Sequence, residues 1–196
     1  MTLPLADADV RPALRARVLK RHAKEPDTVL LDELGVCRGL VRVDLAVVNG
    51  LFHGFEIKSD RDTLRRLEGQ VEVYNKVLDR ATLVAGEHHL VAAMAMIPDW
   101  WGVWRIEESK AGPIFKQVRR ERRNPNRDAR ALVEMLWADE AVSLLESKNL
   151  ARGVRGKPRH VVWDRVCEHL ELEEIASAVR AHLKATAGQR GSPRSG

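Results

Sequence analysis

Two carboxylates and a lysine interrupt an otherwise apolar pair of segments. In VRVDLAVV, residues 41–48, Asp44 breaks a run of aliphatic side chains. In FHGFEIK, residues 52–58, Glu56 does the same two positions before Lys58. Side chains two apart on a strand share a face, so Glu56 and Lys58 project together. Charged groups in segments this apolar need a compensating partner. Two carboxylates on adjacent strands repel, and a divalent cation with oxygen ligands, Mg2+ or Mn2+, relieves the repulsion. A metal held there polarises a phosphoryl oxygen and lowers the pKa of a bound water. A lysine beside that water orients or deprotonates it and balances charge in the transition state.

Such a site makes a demand on register. Asn49-Gly50 between the two segments is a strong hairpin signal. A strict two-residue turn pairs 48 with 51 and leaves Asp44 and Glu56 on opposite faces. A three-residue loop over 48–50, with Gly50 left-handed in a G1 bulge, pairs 47 with 51 instead. It sets Asp44 opposite Gly54, on the face of Glu56 and Lys58. The bulged turn, or an equivalent bulge further along, is therefore the expectation.

Around the hairpin, ADVRPALRARVLKRHA (8–23) carries Leu14, Val18 and Leu19 at helical spacing. TVLLDELGV (28–36) reads as a strand. Asp60 or Asp62 is expected to cap a helix running to about 79, with the stripe Leu64, Leu67, Val71, Tyr74 and Leu78. ATLVA (81–85) is a short buried strand, and a helix near 87–96 follows, ended by Pro98. GVWRIE (102–107) and PIFKQV (113–118) read as a second hairpin across Ser109–Gly112. After Pro125 the pattern turns helical, over about 127–147, 158–170 and 171–185. The order αβββαβαββ predicts an α/β domain over 1–124. A small helical module over 125–187 and a disordered tail, 188–196, follow it.

Asp44 followed by Glu56-Ile57-Lys58 on the next strand resembles the D…(D/E)-x-K signature of the PD-(D/E)XK nuclease superfamily. The stretch EIKSDRDTLRRLEGQVEVY, 56–74, is similar to that of an uncharacterised bacterial family of such proteins. The resemblance covers roughly residues 10–110. It implies a restriction-endonuclease-like αβββαβ core with a mixed central sheet. It also implies a metal-dependent nuclease hydrolysing phosphodiester bonds in DNA, in repair, restriction or defence. Asp44, Glu56 and the Ile57 carbonyl would hold Mg2+ or Mn2+, Glu33 matches an upstream acidic residue of some members, and Lys58 would position the water. Gln70 and Tyr74 match a Q-x-x-x-Y found after the E-x-K strand and sit side by side at i, i+4. Val43 stands where many members have proline, which is no ligand. For Tyr74, core packing is an equal reading; for Glu33, a partly exposed strand-end carboxylate.

The chain has 196 residues, is 44% hydrophobic and 31% charged, and carries a net charge of +5. KQVRRERRNPNR (116–127) holds six Lys/Arg and one Glu. Arg119, Arg120, Arg122 and Arg123 are thus candidates for phosphate contact, or equally a solvated loop. Residues 137–170 resemble, loosely, the SAP motif, a two-helix DNA-binding unit whose loop carries a Gly-Lys like Gly156-Lys157. That brings in Lys157, against the alternative of a bundle packed on the core. Trp100, Trp101 and Trp104 read as core and rim packing, and His88 and His89 as structural or surface. Cys37 and Cys167 fit no metal spacing and read as reduced thiols of a cytoplasmic protein. No run of about 18 apolar residues or basic-apolar leader appears, so no membrane partner is expected. There is no P-loop and hence no nucleotide cofactor. The expected partner is DNA, with a homodimer left open. The alternatives are a non-catalytic nucleic-acid-binding or assembly protein on the same fold, and a nuclease directed at RNA.

Overall fold

The structure, a computed structural model, describes residues 7–191. Its centre is one six-stranded mixed sheet in sequence order: β1 (Val29–Val36), β2 (Val41–Val48), β3 (Phe52–Lys58), β4 (Arg80–Gly86), β5 (Gly102–Glu107) and β6 (Ile114–Arg119). β1 to β3 form an antiparallel meander; β3, β4 and β5 run parallel; β6 returns antiparallel. The parallel steps are bridged by α2 (Leu67–Val77) and α3 (Glu87–Met96), as a parallel crossover requires. All seven residues of β3 are buried, which is the pattern of a strand covered on both faces.

One face is covered by α1 (Asp7–Arg21). Val10, Leu14 and Val18, four apart, pack on Leu45, Val47, Phe55, Ile57, Val84 and Trp104. The other face carries α2 and α3, then α4 (Ala129–Val133), α5 (Ala138–Glu146), α6 (Arg159–His169) and α7 (Leu172–Gly191). Leu132, Val166, Ile175 and Val179 of these last helices share one continuous core with Val48, Phe52 and Leu83 of the sheet. Trp100, Trp101 and Trp104 are buried, as the sequence indicates.

Several expectations need correction. The helical pattern over 127–147 is two helices. Asp128 caps the first by accepting from the Ala131 amide at 2.6 Å, and Glu140 closes the second by accepting from the Trp137 amide at 2.8 Å. α2 begins at Leu67, so neither Asp60 nor Asp62 caps it. Asp62 instead accepts from the Ser59 amide and hydroxyl, closing a turn, and Asp60 accepts from the His88 amide at the start of α3. In both cases a nearer amide claimed the carboxylate. Residues 188–191, expected in the tail, continue α7; 192–196 lie outside the described residues.

Asp79, just before β4, joins the helical segment to the sheet. It is 1% exposed. Its carboxylate accepts from the Phe52 amide at 2.7 Å, from Arg127 at 2.5 Å and from Arg180 of α7 at 3.1 Å. Removing one partner of a buried ion pair leaves the others uncompensated and costs about 3–5 kcal/mol. Asp79→Ala is therefore expected to lower unfolding stability by that order in urea titrations. A loss under about 1 kcal/mol would show that the clasp contributes little.

Candidate functional site

The hairpin loop does have three residues, but they are Asn49, Gly50 and Leu51, one position later than expected: Val48 pairs with Phe52 and Leu45 with Phe55. Gly50 is not left-handed. The turn is closed instead by Asn49, whose side chain accepts from the Leu51 amide at 3.0 Å while its own amide donates to the Leu51 carbonyl. This register sets Ala46, not Asp44, opposite Gly54. Continued one rung, it brings Asp44 level with Glu56, on a shared face.

The ladder does not continue. β2 and β3 stop pairing at Leu45 and Phe55, while β3 goes on beside β4 as far as Lys58 opposite Ala85. At the same rung the alternation of β2 reverses: Ala46 and Val48 face the α2 side, as does Val43, whereas Leu45 and Val47 face α1. Across from Asp44, Glu33 in β1 takes a left-handed φ of 50° and drops out of the register. The Asp44 carboxylate then reaches across the gap and accepts from the Ile57 amide at 2.7 Å.

Glu56 and Lys58 sit on the floor of the resulting cleft, 1% and 4% exposed. Lys58 Nζ donates to Glu56 Oε1 at 2.5 Å and to Gln70 Oε1 at 3.0 Å, and Gln70 Nε2 donates to Glu56 Oε1 at 2.6 Å. The Tyr74 hydroxyl lies 2.8 Å from Glu56 Oε2 and 2.5 Å from the Arg42 carbonyl, so its one proton serves two acceptors. Gln70 and Tyr74, one turn apart on α2, thus hold Glu56 from the helix side. Tyr74 is buried in the core and its hydroxyl is also in the site, so both readings of it apply.

Arg11 of α1, unmarked in the sequence reading, lies at the centre of the acidic groups. Its guanidinium donates to the Asp44 carboxylate at 3.2 Å and carbonyl at 2.9 Å, and it pairs with Glu33 at 2.6 Å and Asp7 at 2.8 Å. The Asp7/Arg11 spacing of four on a helix was the available signal. Burial works against the Arg11 charge, but Asp7, Asp44 and Glu33 hold its pKa above the ordinary value. Burial raises the pKa of Asp44, opposed by the Ile57 amide and by Arg11. Burial, and then the charge of Asp44, push Glu56 up to about 7, against the pull of Lys58 and Tyr74.

Glu33 lines the cleft and pairs with Arg11, and of Ile57 it is the amide that meets Asp44. The basic run is not here. Arg119 ends β6, the edge strand three places along the sheet from β3, and Arg120, Arg122 and Arg123 follow it. Arg119 donates to the Trp101 and Pro98 carbonyls, Arg122 to the Asp99 carbonyl, and Arg123 pairs with Glu173, so most of that charge has structural partners. Lys157 is exposed in the loop between α5 and α6, beside the left-handed Gly156. The cleft is also lined by Arg42, Arg65 and Arg66.

Among the described residues, no three His, Cys, Asp or Glu side chains are grouped to hold a metal ion. The two carboxylates Asp44 and Glu56 share the cleft, and this donor set is of the kind Mg2+ accepts, since that ion keeps several waters and binds through one or two carboxylates.

The folded-state rise of Glu56 has a sign. A carboxyl with a folded pKa near 7 and an ordinary value of 4.5 binds more protons folded than unfolded. Its contribution to stability is complete below about 4.5 and is lost as pH rises towards 7. Without divalent metal, stability is expected to fall by roughly 3 kcal/mol over that window. Denaturant titrations at a series of pH values should show this slope in the wild type and its absence in Glu56→Gln. Equal slopes would assign it to other groups.

The sequence model of the family described as Bacteriophage P4 protein cII matches residues 7–191. A curated protein, Protein cII of Enterobacteria phage P4, is 29% identical over 118 residues, which are 60% of this chain and 44% of that protein's length. The chain therefore spans less than half of that relative. A solved structure of a protein of unknown function from Silicibacter pomeroyi is similar over 92% of this chain and 94% of its own, at 16% identity and a TM-score of 0.40.

Proposed function

For this chain, which belongs to the family of bacteriophage P4 protein cII, we propose a metal-dependent phosphodiesterase, a nuclease acting on DNA. The observation that supports it is the convergence of Asp44, Glu56 and Lys58 in one cleft where β2 and β3 part, with Lys58 Nζ 2.5 Å from Glu56 Oε1. A restriction-endonuclease-like core, as the resemblance implies, is part of the same proposal. So are its settings in repair, restriction or defence.

Asp44 and Glu56 would hold Mg2+ or Mn2+, which when bound supplies charge for a phosphoryl oxygen and a water of lowered pKa. The chain's own groups do the rest. Lys58 presents an ammonium beside the carboxylates, able to orient a water and to balance negative charge on a pentavalent phosphorus. Gln70 fixes both partners of the Lys58–Glu56 pair by one amide, donating to one and accepting from the other. Tyr74 fixes the second oxygen of Glu56. Arg11 on one oxygen of Asp44 and the Ile57 amide on the other compete with a metal for that carboxylate.

The last point also favours a second reading. With Arg11 in place Asp44 already has a cationic partner, as suits a nucleic-acid-binding or assembly protein without hydrolysis. RNA in place of DNA is a variant of the first reading, since a phosphodiester site does not select the sugar.

Plasmid, linear and branched DNA, and a matched RNA, incubated with Mg2+ or Mn2+, should be cleaved by the wild type. Glu56→Ala and Lys58→Ala should each slow cleavage by at least about 100-fold. Full activity in both variants would sink the enzymatic reading. Calorimetric titration with Mn2+ separates the second reading: the nuclease reading expects binding that strengthens in Arg11→Gln and is lost in Asp44→Asn. No binding in either the wild type or Arg11→Gln would favour a metal-free binder.

A further inference from the structure

The cleft that holds Asp44, Glu56 and Lys58 measures about 830 Å3. Its mouth carries Arg42 from β2 and Arg65 and Arg66 from the turn leading into α2. All three are exposed. Among the described residues, none of their side chains has an ion pair or hydrogen bond, and none is among the residues with a further interaction. This contrasts with Arg119, Arg122 and Arg123, which are held by carbonyls and carboxylates. Unpaired guanidiniums converging on one cleft are suited to phosphate oxygens, which they meet in bidentate geometry. Leu40, 74% exposed, lies on the same lip, between Gly39 and Val41.

We propose that this cleft receives a single polynucleotide strand, with Arg42, Arg65 and Arg66 on its phosphates and Leu40 against a base or sugar. This rests on the phosphodiesterase reading of the site, and it adds the form of the substrate and the surface that grips it. Depth is the reason for one strand. Glu56 and Lys58 are almost wholly buried, so a phosphate must enter the cleft to reach them. The cleft's volume is that of a small-ligand pocket. A duplex is stiff over about 150 base pairs and carries its phosphates on the outside of a rod, so pressing one to the floor costs bending or unpairing. A single strand bends freely, and its phosphates can pass the three arginines singly. Single-strand sites combine cationic side chains along the backbone with apolar contacts to bases; here Arg42, Arg65, Arg66 and Leu40 offer these at the mouth, while six carboxylates also line the cleft.

The test separates binding from cleavage by working in EDTA. Fluorescence anisotropy is read with a labelled mixed-sequence oligonucleotide longer than the roughly 4–16 nucleotides a single-strand site spans, with the same oligonucleotide as a duplex, and with a mononucleotide as competitor. The wild type should bind the single strand more tightly than the duplex, and the mononucleotide should compete poorly. Arg42→Ala/Arg65→Ala/Arg66→Ala together should weaken single-strand binding by at least about 30-fold. They should also reduce the slope of log affinity against log salt by about 2, at roughly 0.7 per phosphate contact. Leu40→Ser should weaken binding without changing that slope. Arg120→Ala, at the far edge of the sheet, should leave both unchanged. The triple variant's circular dichroism and melting temperature establish that it is folded.

A folded triple variant that binds as the wild type overturns the proposal. So does a wild type that prefers duplex, or an Arg120→Ala as weak as the triple variant. Its failure is distinct from failure of the enzymatic reading. Loss of binding in the triple variant without any metal-dependent cleavage keeps the strand-binding cleft and removes the nuclease. Cleavage lost in Glu56→Ala with normal binding in the triple variant does the reverse.

Discussion

The site depends on one substitution of acceptors. After Leu45 and Phe55, β2 no longer offers β3 a backbone partner, and the Ile57 amide is satisfied by the side chain of Asp44. A buried amide left without an acceptor costs about 1–3 kcal/mol, so the carboxylate is what lets the two strands separate inside a buried region. Separation makes the cleft. β3 can part from β2 without losing its place because β4 pairs with it in parallel through Lys58. The strand is thus anchored on one side and open on the other at the positions of Glu56 and Lys58.

Charge balance is the second constraint. A cluster of Asp7, Glu33, Asp44 and Glu56 beside a buried lysine would be self-repelling if its members were left alone. Arg11 pairs with three of them, and Lys58, Gln70 and Tyr74 surround the fourth. α1 therefore does two jobs with adjacent residues: Val10 is buried in the core on one face of the sheet, and Arg11 reaches round into the cleft. Glu33 is held at a left-handed φ, a strained conformation for a residue with a side chain. Such strain persists where surrounding contacts enforce it, and the Glu33 side chain pairs with Arg11.

Much of this was legible in local sequence. The order of helices and strands followed from periodicity and from Pro and Gly breaks, since those signals are local. Asp44, Glu56 and Lys58 were marked by being charged in apolar runs, and Gln70 and Tyr74 by the resemblance to the Q-x-x-x-Y that follows the E-x-K strand. The errors have a common physical origin. Asp60 and Asp62 look like caps for the next helix, but Asp62 closes a turn with Ser59, and Asp60 meets the His88 amide, 28 positions away, which local spacing does not show. Likewise the arginines after β6 form the densest charge in the sequence and lie farthest along the sheet from the cleft. Density along the chain says nothing about position across strands.

By itself the sequence determined that a carboxylate and a lysine would share a face of a central strand, because alternation along a strand is a property of the backbone alone. It also determined that the hairpin must hold an extra residue if Asp44 was to join them. Tertiary structure alone decided which three residues form that loop, because the Asn49 side chain closed it without a left-handed glycine. It alone brought Arg11 to Asp44 across 33 positions of chain. It alone set Arg42, Arg65 and Arg66 around the cleft. The last two facts depend on how separate elements pack, and packing is a sum over contacts between residues distant in the chain.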